Sequence, residues 1–359
     1  MTAEQGGTCA SGGSGLRLVP LATSLGMRAL AWKGDLLYAS RGYELLKARV
    51  TGPGEIQWEF VGRGRPAWWR TLTSRTRLGF RLVRDGFHAL AVSESGTLVA
   101  AVPGAIVTLA TGEREFRLTH RITRGTRPLH IAATPDGRVY WGEYFDNASR
   151  EEVHVYGSQD DGASWQVAYM FPPGAIRHVH NVVYDRWEDC LWVLTGDYGD
   201  ECRLLRASCD FSRVEIVLSG NQQVRAVAAV PATHGLYFAT DTPLEKNFVY
   251  RMDRDGGVAR LAALSSSSIY GCSAGDALFF STMVEPSAVN PDQSVRVYGA
   301  REGGDWRSLV SWRKDAWSMR FFQYGNAFIP DGENTSGCLA VTTAAVQDAD
   351  QTLSLFRVE

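Results

Sequence analysis

The sequence predicts an all-β protein that folds as a single β-propeller of seven four-stranded blades, with six or eight blades as the alternatives. Three observations support this prediction. Helical periodicity is scarce, and short apolar runs bounded by Gly, Asp, Pro and Ser recur along the chain, as in antiparallel strands joined by tight turns. A strand-turn-strand unit recurs at roughly the length of one propeller blade. A second, turn-like motif falls between those units.

The length and composition fit one large domain. The chain has 359 residues, of which 45% are hydrophobic and 21% charged, as in a folded protein with a large core. Residues 1–15, rich in Gly and Ser, are predicted to form a disordered tail. Residues 16–359 carry the repeats without an intervening linker, so they are predicted to form one propeller domain. Its ring would be closed by pairing of the first strand, from Leu16, with the last, from Thr352.

The main repeat begins with a polar or aromatic residue, followed by an apolar strand, a turn and a second apolar strand. Successive starts are 42 to 60 residues apart, and the long first interval leaves room for an insertion. The predicted starts are Arg28, His88, His130, His180, Arg225, Tyr270 and a weaker one at Trp317 to Met319. Since the innermost strand of each blade lines the channel of a propeller, these residues are expected around one mouth of that channel.

The second motif is the segment Ser158-x-Asp160-x-Gly162-x-Ser164-Trp165, with weaker versions at Thr111, Ser208, Asp253 and Arg301. An Asp in such a turn accepts backbone hydrogen bonds, Gly supplies positive φ, and Trp packs between blades. The segment resembles the Asp box of the sialidase-like (BNR-repeat) β-propellers. The resemblance implies a structural role for these residues, on the side away from the active face.

Charge and hydropathy exclude several classes of function. The net charge of −2 does not fit a nucleic-acid-binding protein, and no apolar run is long enough to span a bilayer. The start of the sequence lacks the pattern of a secretory signal, so a cytoplasmic location is expected, with non-classical export as the alternative. The six cysteines have neither CxxC spacing nor disulfide-scaffold density, and they are predicted to be mostly reduced thiols.

Candidate site residues come from the repeat starts and from the loops that follow the second strands. Alternate residues of a strand share a face, so His178 is expected beside His180. The candidate catalytic residues are His130, His180, Glu143, Asp197, Asp241 and Tyr270. The candidate substrate-binding residues are Arg28, Arg41, His88, Tyr144, His178, Tyr198, Arg225 and Trp317. A divalent metal is an open possibility, with His88, His130 and His180 as its ligands.

These residue types favour an acidic carbohydrate as the partner, because arginines bind carboxylates in bidentate fashion and aromatic rings stack on sugars. In the sialidase-like family, similar arginines hold the substrate carboxylate, which the resemblance extends to Arg28, Arg41 and Arg225. The leading hypothesis is a glycoside hydrolase-like enzyme that uses two carboxylates as acid and base. One alternative is a polysaccharide lyase with a His or Tyr base and an Arg or His-bound metal. The other is a non-catalytic propeller that binds a glycan or a protein.

Overall fold

The predicted seven-bladed propeller is confirmed by a computed structural model that describes residues 15–51 and 56–359. Its strands form seven sheets, each containing the four strands of one blade, around a central channel. The predicted tail, residues 1–15, falls almost entirely outside the described residues. The first strand, β1 (Leu18–Leu25), forms the outer edge of the last blade.

The strands of each of the first six blades follow one another from the channel outwards. Blades 1 to 3 contain β2 (Arg28–Gly34), β3 (Leu36–Arg41), β4 (Glu44–Arg49), β5 (Glu59–Arg63), β6 (Ala89–Val92), β7 (Leu98–Val102), β8 (Ala105–Leu109), β9 (Arg117–Arg121), β10 (Ala132–Ala133), β11 (Val139–Gly142), β12 (Val153–Ser158) and β13 (Gln166–Phe171). Blades 4 to 6 contain β14 (His178–Asp185), β15 (Cys190–Gly196), β16 (Arg203–Ser208), β17 (Val214–Ser219), β18 (Ala226–Ala232), β19 (Gly235–Thr240), β20 (Asn247–Asp253), β21 (Val258–Leu264), β22 (Ser268–Ala274), β23 (Ala277–Thr282), β24 (Ser294–Arg301) and β25 (Arg307–Arg313). A 3-10 turn, Gly199–Glu201, follows β15.

Burial explains why the second strand of a blade is so apolar. Strands β15, β19 and β23 are buried along their whole length, because neighbouring blades cover both of their faces. Outer strands such as β17 leave much of their length exposed, here at Glu215, Ile216 and Ser219. The core is therefore a series of clusters between adjacent blades, such as the one that joins Tyr237 of blade 5 to Phe280 of blade 6.

The ring is closed twice. Blade 7 contains β26 (Asn326–Phe328), β28 (Cys338–Ala344) and β29 (Thr352–Val358), with β1 paired antiparallel to β29 as predicted. After β26 the chain leaves blade 7, and β27 (Asp331–Asn334) pairs in parallel with β2 inside the channel. This second closure carries Asp331 to the middle of the ring.

The predicted start of the seventh repeat is wrong. The innermost strand of blade 7 is β26, and Trp317 lies before it in a non-strand segment. Trp317 instead packs against Phe322 and beneath the guanidinium groups of Arg77 and Arg81. The error arose because β26 has only three residues, too few to form a recognisable apolar run.

The long first interval holds an insertion of two short helices, α1 (Trp68–Thr73) and α2 (Arg77–Val83). Helix α2 begins after Thr76, whose side chain accepts a hydrogen bond from the amide of Gly79 at 3.2 Å, and it ends at Arg84 in the left-handed conformation. Arg81 ties α2 to the ring, because it is fully buried and forms salt bridges with Asp315 and Asp350. No helix among the described residues is long and apolar enough to cross a membrane.

Bulges set the register of the innermost strands. Single unpaired residues interrupt β2 at Leu30, β14 at His180 and β18 at Val227. Counting from these bulges, Arg28 is equivalent to His178 and to Arg225, so the predicted equivalence of His180 is off by two residues. By the same count, Ser267, two residues before the bulge of β22 at Ile269, is the equivalent position in blade 6, and not Tyr270.

The segment from Ser158 to Trp165 forms the turn between β12 and β13. The carboxylate of Asp160 accepts hydrogen bonds from the amide and hydroxyl of Ser164 at 2.8 and 2.6 Å, and Gly162 has a φ of +81°. Trp165 donates to Thr119 of blade 2 at 3.2 Å, so it packs between blades. The weaker copies fall in the corresponding turns of blades 2, 4, 5 and 6.

Candidate functional site

The candidate site surrounds the upper mouth of the channel, which we define as the end where the innermost strands begin. Six of these strands run in the same direction from their repeat starts, so their first residues gather at this mouth. Loops that follow the second strands lie at the same end. Two groups of charged side chains result, which we name the arginine half and the carboxylate half.

Arg28 is the centre of the arginine half. It is only 8% exposed, and it donates to the ring nitrogen Nδ1 and the carbonyl of His88 at 3.2 and 3.1 Å. Its guanidinium also lies 4.1 Å above the centre of the Phe328 ring. Among the described residues, Arg28 forms no salt bridge, whereas the other buried arginine, Arg81, forms two. Burial lowers the pKa of Arg28.

Two further arginines approach Arg28. Arg127 lies in the loop between β9 and β10, and Arg84 follows α2. Burial, and then repulsion by Arg28 and Arg84, lower the pKa of Arg127 to about 10. Neither Arg84 nor Arg127 forms a salt bridge within the described part of the chain. The three guanidinium groups therefore form a concentration of positive charge, in which Tyr270 and Asp331 act on Arg28 without a salt bridge to it among the described residues.

His88 positions Arg28 and is not a free base. Its Nδ1 accepts from Arg28, and its Nε2 donates to the carbonyl of Arg84 at 2.5 Å. Both ring nitrogens are thus occupied in the neutral form. Burial and the charges of Arg127 and Arg28 lower the pKa of His88 well below its ordinary value.

Tyr270 and His130 lie next to the arginines. The Tyr270 ring packs against Phe328 and against His130, with ring centres 5.2 and 5.8 Å apart. Burial raises the pKa of Tyr270, although Arg28 and Arg127 act in the opposite direction. Nδ1 of His130 lies 2.8 Å from a carboxylate oxygen of Asp331. Since a carboxylate accepts, Nδ1 carries the proton, and Nε2 of His130 is a buried acceptor without a protein partner in the described structure.

Asp197 is the centre of the carboxylate half. One of its oxygens lies 3.2 Å from His180, 3.5 Å from His178 and 3.1 Å from Arg225, and the other lies 3.3 Å from Arg177. Burial opposes ionisation, but the contacts with His178 and His180 outweigh it and hold the pKa of Asp197 well below its ordinary value. Asp197 is therefore ionised and enclosed by cationic or imidazole groups.

Asp241 shares Arg225 with Asp197, at 3.4 Å from the same guanidinium nitrogen. Burial raises the pKa of Asp241 to about 7, and the charges of Glu285 and Asp197 add to that effect. Tyr144 packs on His178 with ring centres 4.3 Å apart. Burial, with Asp241 and Asp197, raises the pKa of Tyr144 to about 12.

The other predicted site residues lie apart from these contacts. Glu143 is paired with Arg124 through both oxygens and also accepts from the amide of His154 at 2.8 Å, so it has no free oxygen for acid-base chemistry. Arg41 is exposed at the end of β3, and Tyr198 is about half exposed before the 3-10 turn. Trp317 lies beside the insertion helices, as described above.

Sequence reasoning missed three residues of the arginine half: Arg84, Arg127 and Asp331. Arg84 and Arg127 lie in connections between blades, outside the repeated strand-turn-strand unit. Asp331 lies on β27, which has no counterpart in the other blades. The one available indication was the IPDGEN segment after the seventh repeat, where a Pro and a Gly mark a departure from the strand pattern.

Below the upper mouth, the channel widens into a cavity of about 530 Å³ that opens towards the other end of the ring. His130, Asp331 and Asn181 line it, together with Lys33 and Trp187. The His130–Asp331 pair therefore stands between the arginine half and this cavity.

The residues that could hold a metal ion together differ from those predicted. His88 and His130 have separate partners and do not approach His180. Instead, ligand atoms of His178, His180 and Asp197 lie within 4.8 Å of one another. A second such group, Asp185, Glu188 and Cys190, is already engaged, because Arg254 forms salt bridges with Asp185 and Glu188.

Comparisons with known proteins identify the fold and go no further. No protein-family model and no curated protein matches the sequence. The structure is similar to a chain in the crystal structure of the mitotic checkpoint complex, with 9% identity and a TM-score of 0.56 over 99% of both chains. It is also similar to the WD40 β-propeller domain of Doa1, with 11% identity and a TM-score of 0.56 over 96% of this chain and 97% of that one. At such identities the likeness shows only a β-propeller.

Proposed function

We propose that this protein cleaves a uronate-containing oligo- or polysaccharide by β-elimination at the upper mouth. The observation that carries the proposal is Arg28, a buried arginine without a carboxylate partner in the described structure, placed next to Tyr270 and the His130–Asp331 pair. The proposal includes a relationship to the Asp-box propellers. The hydrogen bonds of Asp160 and the positive φ of Gly162 in the turn from Ser158 to Trp165 support that relationship.

The arginine half supplies the anion site. Burial of a charged side chain costs roughly several kcal/mol of folding free energy unless a partner of opposite charge compensates for it. A ligand carboxylate between Arg28 and Arg127 would provide that partner and accept bidentate hydrogen bonds from a guanidinium. Neutralising the carboxylate of a uronate also acidifies the proton on its C5 carbon, which elimination requires.

His130 supplies the base. Its Nδ1–H donates to Asp331, an arrangement that fixes the ring and leaves the Nε2 lone pair for proton abstraction. Tyr270 is 5.8 Å from His130 between ring centres and carries a hydroxyl that remains protonated at neutral pH, since its pKa is raised by burial. These two residues therefore provide an acceptor and a donor on one side of the arginines.

The reaction balances with these groups alone. His130 Nε2 takes the C5 proton, the electron pair of that C–H bond forms a C4–C5 double bond, and the C4–O bond breaks. The departing oxygen takes the proton of the Tyr270 hydroxyl. A proton then passes from His130 to Tyr270 through solvent, which restores both groups.

Hydrolysis is the second candidate, and Asp241 favours it. A carboxyl group with a pKa of about 7 beside the ionised Asp197 has the properties of a general acid paired with a base. Glu143 does not serve in this version because Arg124 occupies it. Binding of an acidic glycan without cleavage is the remaining possibility, and it uses the same arginines.

The test is incubation of the protein with pectate, alginate and glycosaminoglycans, followed by ultraviolet absorbance of the unsaturated product and by assay of new reducing ends. We expect both signals from the wild-type protein. His130→Gln and Tyr270→Phe are each expected to lower turnover by about 10²- to 10⁴-fold, the usual contribution of a general acid or base. His234→Gln is the matched control, since His234 is an exposed histidine outside the mouth.

The outcomes separate the three possibilities. Reducing ends without the absorbance would replace elimination by hydrolysis, and loss of activity in Asp241→Asn would then identify the acid. Binding of a uronate polymer without either signal would leave a glycan-binding propeller. Full activity of His130→Gln, with the fold intact by circular dichroism, would overturn the proposed mechanism.

A further inference from the structure

The histidine pair of β14 has a geometry that the proposed elimination does not use. His178 and His180 are both buried, and their Nε2 atoms are 3.1 Å apart. One oxygen of Asp197 lies 3.2 Å from Nε2 of His180 and 3.5 Å from Nε2 of His178. Three potential ligand atoms thus form a nearly equilateral triangle. His180 is the unpaired residue of the bulge in β14.

The protonation of the two rings follows from their other nitrogens. Nδ1 of His178 lies 2.9 Å from the carbonyl oxygen of Phe145, and Nδ1 of His180 lies 2.9 Å from that of Ala226. A carbonyl oxygen only accepts, so both Nδ1 atoms carry a proton. In the neutral rings each Nε2 then carries a lone pair, and the two lone pairs face each other and one oxygen of Asp197. A metal ion or a proton at the centre of the three atoms would relieve their mutual repulsion.

The dimensions fit a metal ion. Ligand atoms about 2.1 Å from one ion and separated by 90° to 109° lie roughly 3.0 to 3.4 Å apart. The observed separations are 3.1, 3.2 and 3.5 Å. A ligating histidine almost always donates its second N–H to a carbonyl or carboxylate, as both rings do here.

We propose that His178, His180 and Asp197 bind one divalent first-row transition-metal ion, such as Zn²⁺, Mn²⁺ or Co²⁺, at the upper mouth. Two imidazole nitrogens and one carboxylate oxygen suit these ions better than Mg²⁺ or Ca²⁺, which prefer oxygen ligands. Three protein ligands on one side of the ion leave at least one position for water or for an oxygen of a ligand.

The surroundings fix the triangle in place. Arg177 and Arg225 contact Asp197, at 3.3 and 3.1 Å, and limit its rotation. The ring of Tyr144 covers His178. Gly196 lies against His180 so closely that a Cβ atom there would be 2.7 Å from Cε1 of the ring. Any larger residue at position 196 would displace His180, which offers a way to disturb the site without removing a ligand.

The metal site does not depend on the proposed elimination, so it is tested without a carbohydrate. Protein treated with a chelator and dialysed would be titrated with Zn²⁺ by calorimetry and with Co²⁺ by visible absorption. We expect one equivalent of Zn²⁺ and the ligand-field bands of a bound Co²⁺ ion. His178→Gln and His180→Gln are each expected to weaken binding by at least about 10-fold, as for loss of a ligand or its support.

His234→Gln is the control, and it should bind like the wild type. Gly196→Ala retains all three ligands and is expected to change the Co²⁺ spectrum by moving His180. If the glutamine variants unfold, this spectral change still tests the site. Absence of stoichiometric binding in the wild type would overturn the proposal. So would ¹⁵N chemical shifts that show a proton on Nε2 of either ring in the presence of Zn²⁺, because a protonated nitrogen cannot ligate.

Discussion

The two halves of the upper mouth handle buried charge in opposite ways. In the carboxylate half, Asp197 is surrounded by Arg177, Arg225 and two imidazoles, so its charge is compensated within the protein. In the arginine half, Arg28 and Arg127 form no salt bridge within the described structure, and only Tyr270, Tyr43 and Asp331 act against their repulsion. The first arrangement compensates a buried charge within the protein, and the second leaves an excess of positive charge.

Removal of Asp197 is expected to have the largest effect on stability. Asp197→Ala would leave Arg225 and Arg177 with fewer partners in a buried environment, and breaking such a network costs about 3 to 5 kcal/mol. The measurement is urea unfolding in the presence of a chelator, so that a bound ion does not contribute. Asp146→Ala is the control, because Asp146 pairs with Arg177 at the exposed surface and should cost less than about 1 kcal/mol. Equal losses in the two variants would contradict this account of the carboxylate half.

Asp241 is expected to make the unfolding free energy depend on pH in the carboxylate half. Its pKa of about 7 in the folded protein lies above the ordinary 3.8, so the folded state holds this proton more tightly than the unfolded state. Its contribution to stability is present below pH 4 and is lost as the pH rises towards 7. In Asp241→Asn, the difference in unfolding free energy between those pH values should shrink by about 2 to 4 kcal/mol. Unfolding curves at a series of pH values measure it, and an unchanged profile would show that Asp241 ionises normally.

Substitution of Arg28 is expected to change the unfolding free energy least, although its side chain is buried. Arg28→Met would remove a charge that has no salt bridge, together with the donors to Nδ1 and the carbonyl of His88, so the change in unfolding free energy is expected to stay within about 2 kcal/mol. The matched variant is Arg81→Met, which would leave Asp315 and Asp350 without their buried partner at a cost of about 3 to 5 kcal/mol. Urea unfolding of both variants tests the difference. A loss at Arg28 as large as that at Arg81 would mean that Arg28 serves the fold.

The sequence was sufficient to predict the ring. Seven blades and the closing pair of first and last strands followed from periodicity, because each blade repeats the same pattern of buried strands, and the turn from Ser158 to Trp165 followed from its Asp, Gly and Trp. The start of blade 7 was harder to predict, since its inner strand has only three residues and the next strand, β27, pairs with β2 of blade 1. Local patterns do not record which neighbour a short strand will pair with.

The site was predictable only in part. Repeat starts led to Arg28, Arg225 and the His178–His180 pair, which all lie at the mouth. Their grouping was not predictable, because bulges shift the register by a residue that leaves no mark in the apolar pattern. Glu143 was found at the expected loop, yet its partner Arg124 comes from another connection and removes it from any chemistry.

The strand switch at the end of β26 has a consequence for the order in which the protein matures. His130 and Asp331 are 201 residues apart, and Asp331 reaches the channel only when β27 docks on β2. Because chains are synthesised from the N-terminus, the first six blades are synthesised before this strand. A nascent or truncated chain therefore carries the arginines without the oriented histidine, and completion of the ring and assembly of the His130–Asp331 pair become a single late folding event.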